Sequence, residues 1–276
     1  MANPTNPTDP TNPTPRTVLW RIEDGVGHIV LNRPDAANAL DSEAGEALAE
    51  AIDQATRADI GAVLISSTGK QFCAGGDINE FVERRDELDR LVQTMLDRLH
   101  PAIHSLATLS VPVVSAVQGP LGGAGISVAL CADIVLAAPA MKLRGGYSAI
   151  GLSPDLGASY YLSRRAGSVR AKNILLTNRA IPAEQCLDWG IVDELHSADA
   201  LPAAALALAT RLAHGATASL GGIKRMCDSA FEHDLRTHLS LEREALLRCA
   251  VSVDGREGVT AFVEKRAARF TEQRLP

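Results

Sequence analysis

Two loops of small residues and one acidic residue could do chemistry in this sequence. The first loop, FCAGGD at 72–77, follows a strand-like run and has two glycines where a tight turn needs one. The second, GPLGGAG at 119–125, also follows a strand-like run and opens an apolar helix. Backbone N–H groups at a helix start lack acceptors within the helix. If both loops meet at one end of a parallel sheet, they offer two N–H donors to one oxygen, as an oxyanion hole does.

Each loop also has a purely structural interpretation. A strand-to-helix turn would explain the first loop, and close packing of a helix on a sheet would explain the glycines of the second. No Gly-Lys-Ser/Thr follows either loop, and no GxGxxG follows the first strand, so neither nucleotide-binding pattern is met. The residues alone therefore leave two interpretations of each loop open, a structural turn and a ligand-binding site.

The acidic candidate is Asp155, in GLSPDLGASYYLSRRAG at 151–167. Ser153 is a natural N-cap and Pro154 fits a first helical position, so the sequence predicts that Asp155 lies in the first turn of a helix. The helix dipole favours a carboxylate there, which is one explanation for the residue. The other is a carboxylate base on a rigid helix start that faces a cleft.

Other reactive side chains lack partners in a recognised spacing. His100 and His104 are four residues apart, but no third ligand accompanies them, so no metal site is predicted. Ser127 lacks the G-x-S-x-G pattern of a nucleophilic serine. The run EKRAAR at 264–269 is typical of a solvated helix face, although Lys265 and Arg266 could also meet a phosphate.

Composition and charge exclude several classes of protein. The formal net charge of −6 and an aromatic content of 4% argue against nucleic-acid binding. The five cysteines are widely spaced without a CxxC pair, which disfavours disulfide and zinc scaffolds and predicts a reducing cytoplasm. No apolar run approaches the ~20 residues that span a bilayer, so no membrane partner is predicted. Residues 1–15 repeat Asn/Asp-Pro-Thr, which predicts a disordered tail and not a secretion signal.

Short strands alternate with helical patterns in the first half of the chain. The predicted strands are 18–22, 27–32, 62–66, 111–117 and 133–138, and a shorter strand is predicted at 190–195. The predicted helices are 41–55, 86–109, 201–213, 217–233, 235–250 and 255–268, and Asp41-Ser42 can cap the first of them. This order predicts an α/β fold with a largely parallel sheet, followed by a helical C-terminal part that could pack on another subunit. We place the domains at 16–200 and 201–276.

Several motifs together resemble the enoyl-CoA hydratase/isomerase (crotonase) superfamily, from about residue 17 to 273. They are LNRPDAANAL (31–40), FCAGGDINEF (72–81), VPVVSAVQGPLGGAG (111–125), CADIVLAA (131–138), LTNRAIPAEQCLDWGIVDEL (176–195) and REGVTAFVEKRAARF (256–270). The resemblance implies a ββα spiral core with a helical C-terminal trimerisation region, in a homotrimer or dimer of trimers. It also implies an acyl-CoA thioester as substrate, with no cofactor bound permanently.

The resemblance assigns roles to individual positions. Gly76 and Ala124 match the two oxyanion donors, while Asp77 is expected to cap the next helix and not to be the catalytic acid. Phe262 and Lys265 match a pair that packs on the nucleotide of CoA, often from a neighbouring subunit. The full set implied for substrate binding is Ala37, Ala74, Gly76, Asp77, Ile78, Asn79, Gly123, Ala124, Phe262 and Lys265.

The acid/base positions separate the reactions of this family. Ser127 and Tyr147 stand where hydratases carry two glutamates, and neither is a useful base at neutral pH. Asp155 falls where Δ3,Δ2-enoyl-CoA isomerases and ring-epoxide isomerases of phenylacetate degradation carry a carboxylate, so the resemblance implies a double-bond shift. The alternatives are hydration with Tyr147 or Ser127 holding a water, dehalogenation of a 4-chlorobenzoyl-CoA type with His100 beside Asp155, and a non-catalytic acyl-CoA-binding protein.

Overall fold

The structure is a computed structural model that describes residues 16–271, so the predicted tail at 1–15 lies outside the described residues. Its strands are β1 (Val18–Glu23), β2 (Val26–Leu31), β3 (Ala62–Ser67), β4 (Val113–Val117), β5 (Leu121–Gly122), β6 (Ile134–Ala137), β7 (Lys142–Arg144), β8 (Ile181–Pro182) and β9 (Glu194–Leu195). Its α-helices are α1 (Ser42–Arg57), α2 (Ile78–Glu83), α3 (Leu88–Ala107), α4 (Ala124–Leu130), α5 (Ala158–Ala166), α6 (Ser168–Thr177), α7 (Ala183–Asp188), α8 (Leu201–Ala213), α9 (Thr217–Ser229), α10 (Leu235–Val251) and α11 (Val253–Glu264).

The main sheet has six strands in the order β1-β2-β3-β4-β6-β9. Strands β1 and β2 form an antiparallel hairpin, and every other pair in this sheet is parallel, which confirms the predicted α/β class. A smaller sheet of β5, β7 and β8 stands beside it. Parallel strands bury both faces, which is why β2 and β4 are buried throughout and, apart from His28 and Ser115, carry no polar side chain.

Helices cover both faces of the main sheet. Ile29 and Ile65 point to the larger core, which α1 and α3 complete with buried leucines and alanines. Leu64 and Val114 point to the opposite face, where they pack against the buried side of α8. The predicted cap of α1 is confirmed, since the Asp41 carboxylate accepts a hydrogen bond from the Ala44 N–H at 2.8 Å. Helix α8 is therefore a layer of the core.

The last three helices depart from this core in succession. Lys224 of α9 is buried and forms a 2.8 Å ion pair with Asp133 at the start of β6. Helix α10 contains no buried residue, and α11 packs on α10. Their exposed large apolar side chains are Leu235, Leu239, Leu246, Leu247, Val251, Val253, Val259, Phe262 and Val263. Helices α10 and α11 thus leave these nine large apolar side chains exposed.

The predicted helix start at Ser153 is wrong. Residues 152–155 form no regular structure, and α5 begins at Ala158 after Gly157. Leu156 and Gly157 have φ values of 47° and 95°, in the left-handed region, which a right-handed helix cannot include. Asp155 therefore lies on a turn ahead of the helix and not in its first turn.

Among residues 16–271, no helix is long and apolar enough to cross a membrane.

Candidate active site

The two glycine loops lie against each other at the carboxyl ends of the parallel strands. Cys73 and Leu121 form a parallel bridge, and the Gly122 N–H donates to the Cys73 carbonyl at 3.0 Å. Gly75 has φ +100°, and a Cβ there would lie 3.0 Å from the Gly122 oxygen and 3.3 Å from the Ala124 nitrogen. The surplus glycine of the first loop is therefore explained by close approach to the second loop.

Two backbone N–H groups are left without acceptors at this junction. The residues on either side of Gly76 both form backbone hydrogen bonds with Leu40. The Leu40 N–H donates to the Gly75 carbonyl, and the Asp77 N–H donates to the Leu40 carbonyl. Ala124 is the first residue of α4, so its N–H has no acceptor within the helix. Neither the Gly76 nor the Ala124 N–H donates a hydrogen bond within the described part of the chain.

The Asp155 backbone is fixed by two hydrogen bonds to its carbonyl oxygen. The Ala158 N–H donates at 2.9 Å across the turn, and the Ser127 Oγ donates at 3.0 Å from the buried side of α4. Ser127 is fully buried, and its hydroxyl is engaged with backbone. The turn is therefore held against the helix whose first N–H is that of Ala124.

The carboxylate of Asp155 is held by a tyrosine. The Tyr147 hydroxyl donates a hydrogen bond to Oδ1 of Asp155 at 2.5 Å, and the Tyr147 side chain is buried. Burial raises the pKa of Asp155, while the Tyr147 hydrogen bond and the nearby His100 act in the opposite direction. Burial, then the charge of Asp155, raises the pKa of Tyr147, which therefore stays protonated as a donor. The raised pKa brings Asp155 closer to the range in which a group can exchange protons at neutral pH.

Cys73 is a buried thiol close to the same carboxylate. Burial raises the pKa of Cys73 to about 12, and the charge of Asp155 adds to the shift. A thiol with such a pKa stays neutral and is a poor nucleophile. Cys73 is therefore part of the packing beneath the loops.

Asp77 is engaged in structural contacts, as predicted for a cap. Its Oδ1 accepts from the Asn79 N–H at 2.9 Å at the start of α2, and its Oδ2 forms a 2.6 Å ion pair with Arg33. Burial acts to raise the pKa of Asp77, but these hydrogen bonds outweigh it and hold the pKa below its usual value. Its N–H is also engaged, so Asp77 positions the loop and offers a ligand no free group of its own.

Sequence reasoning did not single out Arg33 or Asn38, which hold this loop in place. Arg33 also pairs with Asp41 at 2.7 Å. Asn38 is buried and donates to the Thr68 and Gln71 carbonyls at 2.8 and 2.9 Å. Both residues lie within the LNRPDAANAL motif. The motif could be recognised in the sequence, but the hydrogen bonds that each residue makes could not be predicted from it.

The remaining predicted binding residues lie beside the first loop or far from it. The Ala74 N–H donates to the Ala37 carbonyl at 3.0 Å, and the side chains of Ala74, Ile78 and Asn79 are exposed. The Gly123 N–H is taken by the Gly145 carbonyl at 3.0 Å. These residues therefore lie on or next to the two loops that carry the unpaired N–H groups, and their contacts with a ligand stay predictions.

Phe262 and Lys265 are not brought to this site within one chain. Both are exposed at the end of α11, and no hydrogen bond, ion pair or ring contact among the described residues joins them to Gly76 or Asp155. His100 is exposed on α3 and acts on Asp155 through its charge alone. Among residues 16–271, no cluster of three or more His, Cys, Asp or Glu could hold a metal ion.

A large open cavity lies apart from these groups. Its volume is about 860 Å³, and the residues around it include Ile103, His104, Leu130, Tyr161, Ile223 and Lys224. His100 and Leu156 reach its edge, but Gly76, Ala124 and Asp155 do not line it. The unpaired donors and the titratable carboxylate are therefore the better candidates for chemistry.

Comparison with known proteins gives one consistent family over nearly the whole chain. A family model described as Enoyl-CoA hydratase/isomerase matches residues 21–273. A 1,2-epoxyphenylacetyl-CoA isomerase from Escherichia coli (strain K12) is 38% identical over 256 residues, covering 92% of this chain and 98% of that protein. A trans-2-decenoyl-(acyl-carrier-protein) isomerase from Streptococcus mutans is 30% identical over 259 residues, covering 93% and 98%. The crystal structure of an enoyl-CoA hydratase from Polaromonas sp. JS666 matches with a TM-score of 0.86 and 32% identity, covering 92% of this chain and 99% of that one.

Proposed function

The chain belongs to the enoyl-CoA hydratase/isomerase family and has the crotonase fold, and from that premise we propose that it shifts a double bond in an enoyl-CoA thioester. Membership and fold confirm the resemblance seen in the motifs. In the proposed reaction, Asp155 is the acid and base, and the N–H groups of Gly76 and Ala124 stabilise the thioester oxygen. The substrate brings the CoA group with it, and no permanently bound cofactor takes part.

The proposed reaction has two proton transfers. Ionised Asp155 removes a proton from the carbon α to the thioester of a 3-enoyl-CoA, and the C–H electron pair moves to give a dienolate with its charge on the thioester oxygen. Two N–H donors to that oxygen stabilise this intermediate, and losing one typically costs about 10²–10³ in rate. The carbonyl then re-forms, the double bond moves to the α–β position, and protonated Asp155 returns the proton to the γ-carbon. One carboxylate thus serves both steps.

The observation that carries the proposal is the position of Asp155 between the two residues that replace the hydratase glutamates. Tyr147 donates to its carboxylate and Ser127 donates to its carbonyl. Neither residue supplies a second carboxylate to activate water, and both are buried. A site with one titratable carboxylate suits proton transfer between carbons better than hydration.

The proposal includes the assembly and the location. We propose a homotrimer or dimer of trimers in which Phe262 and Lys265 reach the CoA of a neighbouring subunit; the exposed apolar side chains of α10 and α11 support this. A cytoplasmic location is supported by five cysteines that are all free thiols. Light scattering on the purified protein would test the assembly.

The test is a panel of CoA thioesters read by mass spectrometry. The panel holds straight-chain 3-enoyl-CoA and 2-enoyl-CoA esters together with aromatic and ring-epoxide esters. We expect conversion of 3-enoyl to 2-enoyl esters, loss of conversion in Asp155→Asn with CoA-ester binding retained, and no loss in Asp188→Asn, a matched change at an exposed site. Full activity of Asp155→Asn would contradict the proposal. Binding of the esters without conversion of any would instead favour the non-catalytic alternative, and rapid formation of 3-hydroxyacyl-CoA would favour a hydratase.

A second reaction is favoured by one observation. The charge of His100 acts on Asp155, as it would in a dehalogenase of the 4-chlorobenzoyl-CoA type that uses the aspartate as a nucleophile. Release of chloride from 4-chlorobenzoyl-CoA, lost in both Asp155→Asn and His100→Gln, would support that reaction. Release of no chloride together with isomerisation of a 3-enoyl ester would leave the double-bond shift as the better proposal.

A further inference from the structure

The contact between Tyr147 and Asp155 joins two residues held by separate parts of the fold. Tyr147 opens a short 3-10 helix (Tyr147–Ile150), and its carbonyl accepts the Leu152 N–H at 3.1 Å. The residue before it, Gly146, has φ +84° and donates its N–H to the Asn178 side chain at 2.7 Å. The backbone at Tyr147 is thus held on both sides independently of Asp155.

The hydrogen bond occupies one carboxylate oxygen. The Tyr147 hydroxyl lies 2.5 Å from Oδ1, and no other side chain of the described residues donates to the carboxylate of Asp155. Tyr147 is 7% exposed, so the hydroxyl has little access to water. A buried hydroxyl normally keeps such a partner, because losing it leaves a polar group unsatisfied.

We propose that Tyr147 is a positioning residue that holds Oδ1 of Asp155 and leaves Oδ2 to exchange the proton with the substrate. This inference rests on the proposed function, since it needs Asp155 to be the acid and base. The phenol itself keeps its proton and transfers none. It orients the carboxylate, and it stabilises the ionised form against the burial that disfavours it.

The other titratable groups that face Asp155 act differently. Cys73, on the loop after β3, stays neutral because burial raises its pKa to about 12. His100, on α3, acts through its charge to lower the pKa of Asp155, but it makes no hydrogen bond to the carboxylate. Tyr147 is therefore the group whose removal changes both the orientation and the ionisation of Asp155.

The test compares Tyr147→Phe with Tyr160→Phe in the assay of 3-enoyl-CoA isomerisation. Tyr160 is 53% exposed and contacts Arg164, so its variant loses a hydroxyl outside the site. We expect Tyr147→Phe to lower kcat by about 10- to 100-fold, the range for losing a hydrogen bond to a charged group, with little change in KM. The acid limb of its kcat/KM profile should move to higher pH, because the ionised carboxylate has lost its donor. Tyr160→Phe should leave both kcat and the acid limb of the kcat/KM profile unchanged.

A second variant guards against a folding defect. Replacement of Tyr147 by 3,5-difluorotyrosine keeps the ring and hydroxyl but makes the hydroxyl a stronger donor, so the acid limb should move to lower pH. Unchanged kcat and unmoved acid limbs in both variants would overturn the inference, as would a lower kcat with an unmoved acid limb, which indicates a merely structural role. If Asp155→Asn is inactive while Tyr147→Phe behaves as wild type, only this inference fails. If Asp155→Asn is active, the proposed function fails first.

Discussion

The Ser127 hydroxyl binds the Asp155 carbonyl across 28 residues of sequence, at 3.0 Å. Ser127 lies on α4, three residues after Ala124, whose N–H is one of the two unpaired donors. This hydrogen bond therefore fixes the carboxylate-bearing turn to the helix that carries a donor. The distance between a bound thioester oxygen and the proton acceptor would then be set by the fold before any ligand arrives, as proximity effects in catalysis require.

Replacing Asp155 by asparagine should stabilise the protein at neutral pH. Because burial raises the pKa of Asp155 above its value in the unfolded chain, the stability that this group contributes is present below the unfolded pKa and is lost as the pH rises through the folded value. Asp155→Asn carries no charge and keeps an oxygen for Tyr147. Urea unfolding should show a higher free energy of unfolding than wild type at pH 7, and little difference near about pH 3, where aspartate is mostly protonated. A less stable variant at pH 7 would contradict this reading of Asp155.

The Ala124 N–H can be removed with little change to the helix. Proline is tolerated at the first position of a helix and lacks the N–H, so Ala124→Pro should keep the fold and lower kcat by about 10²–10³-fold if this group is an oxyanion donor. Ala124→Gly keeps the N–H and is the matched control, with activity near that of wild type. Equal rates of the two variants, measured on a 3-enoyl-CoA, would argue against the donor role.

Gly75 should not tolerate a side chain. In Gly75→Ala the new Cβ would lie 3.0 Å from the Gly122 oxygen, at a φ of +100° that alanine rarely adopts. We expect a loss of about 1–3 kcal/mol in the free energy of unfolding, with reduced activity because the two loops separate. Gly222→Ala is the control, since a Cβ on α9 meets no atom within 4 Å and should stabilise by about 0.4–1 kcal/mol. Chemical denaturation of both variants gives the comparison.

Removing Arg33 should loosen the first loop. Arg33 joins Asp77 at 2.6 Å and Asp41 at 2.7 Å, and the Asp77 side chain is almost fully buried. Arg33→Ala leaves that carboxylate without its partner, which should cost about 1–3 kcal/mol of stability and lower activity. Arg21→Ala breaks an exposed 3.5 Å pair with Glu23 and should change stability by at most about 1 kcal/mol. Similar losses in the two variants would show that the loop does not depend on Arg33.

His28 should make the fold sensitive to acid. It is buried on β2, its Nε2 has no partner within residues 16–271, and burial, assisted by Arg21, lowers its pKa. Stability from a histidine with a lowered folded pKa is present above the unfolded value and is lost as the pH falls from about 6.5 downward. His28→Leu should lose less stability than wild type over that range, whereas His233→Gln, at an exposed site, should follow wild type. Thermal unfolding from pH 7 to pH 5 would measure this.

The sequence predicted the features that depend on local chemistry. The strands alternate with helices as their apolar periodicity indicates, and the cap of α1 at Asp41 follows from a rule that operates over three residues. The approach of the two glycine loops could also be predicted, because parallel strands place their carboxyl ends at one edge of a sheet. Each of these predictions needs only neighbours in sequence or a general property of sheets.

Contacts made by tertiary structure could not be predicted in this way. Arg33 and Asp77 are 44 residues apart, and nothing in either motif states that one pairs with the other. The helix start at Ser153 was wrong because a good cap was overridden by the left-handed turn at Leu156 and Gly157. The hydrogen bond between Tyr147 and Asp155 depends on the path of the chain across the eight positions that separate them, so it also lay beyond a local rule.

The turn at Leu156 has an energetic consequence for the carboxylate beside it. A non-glycine residue with φ near 47° carries strain of about 1–3 kcal/mol. The Leu156 side chain is 3% exposed, and burying a leucine contributes about 1.5–3 kcal/mol. The two quantities nearly cancel, and glycine would relieve the strain only by giving up the burial. Burial of the Leu156 side chain thus stabilises the strained backbone next to Asp155. The hydrophobic effect on one leucine therefore helps to fix the position of a carboxylate.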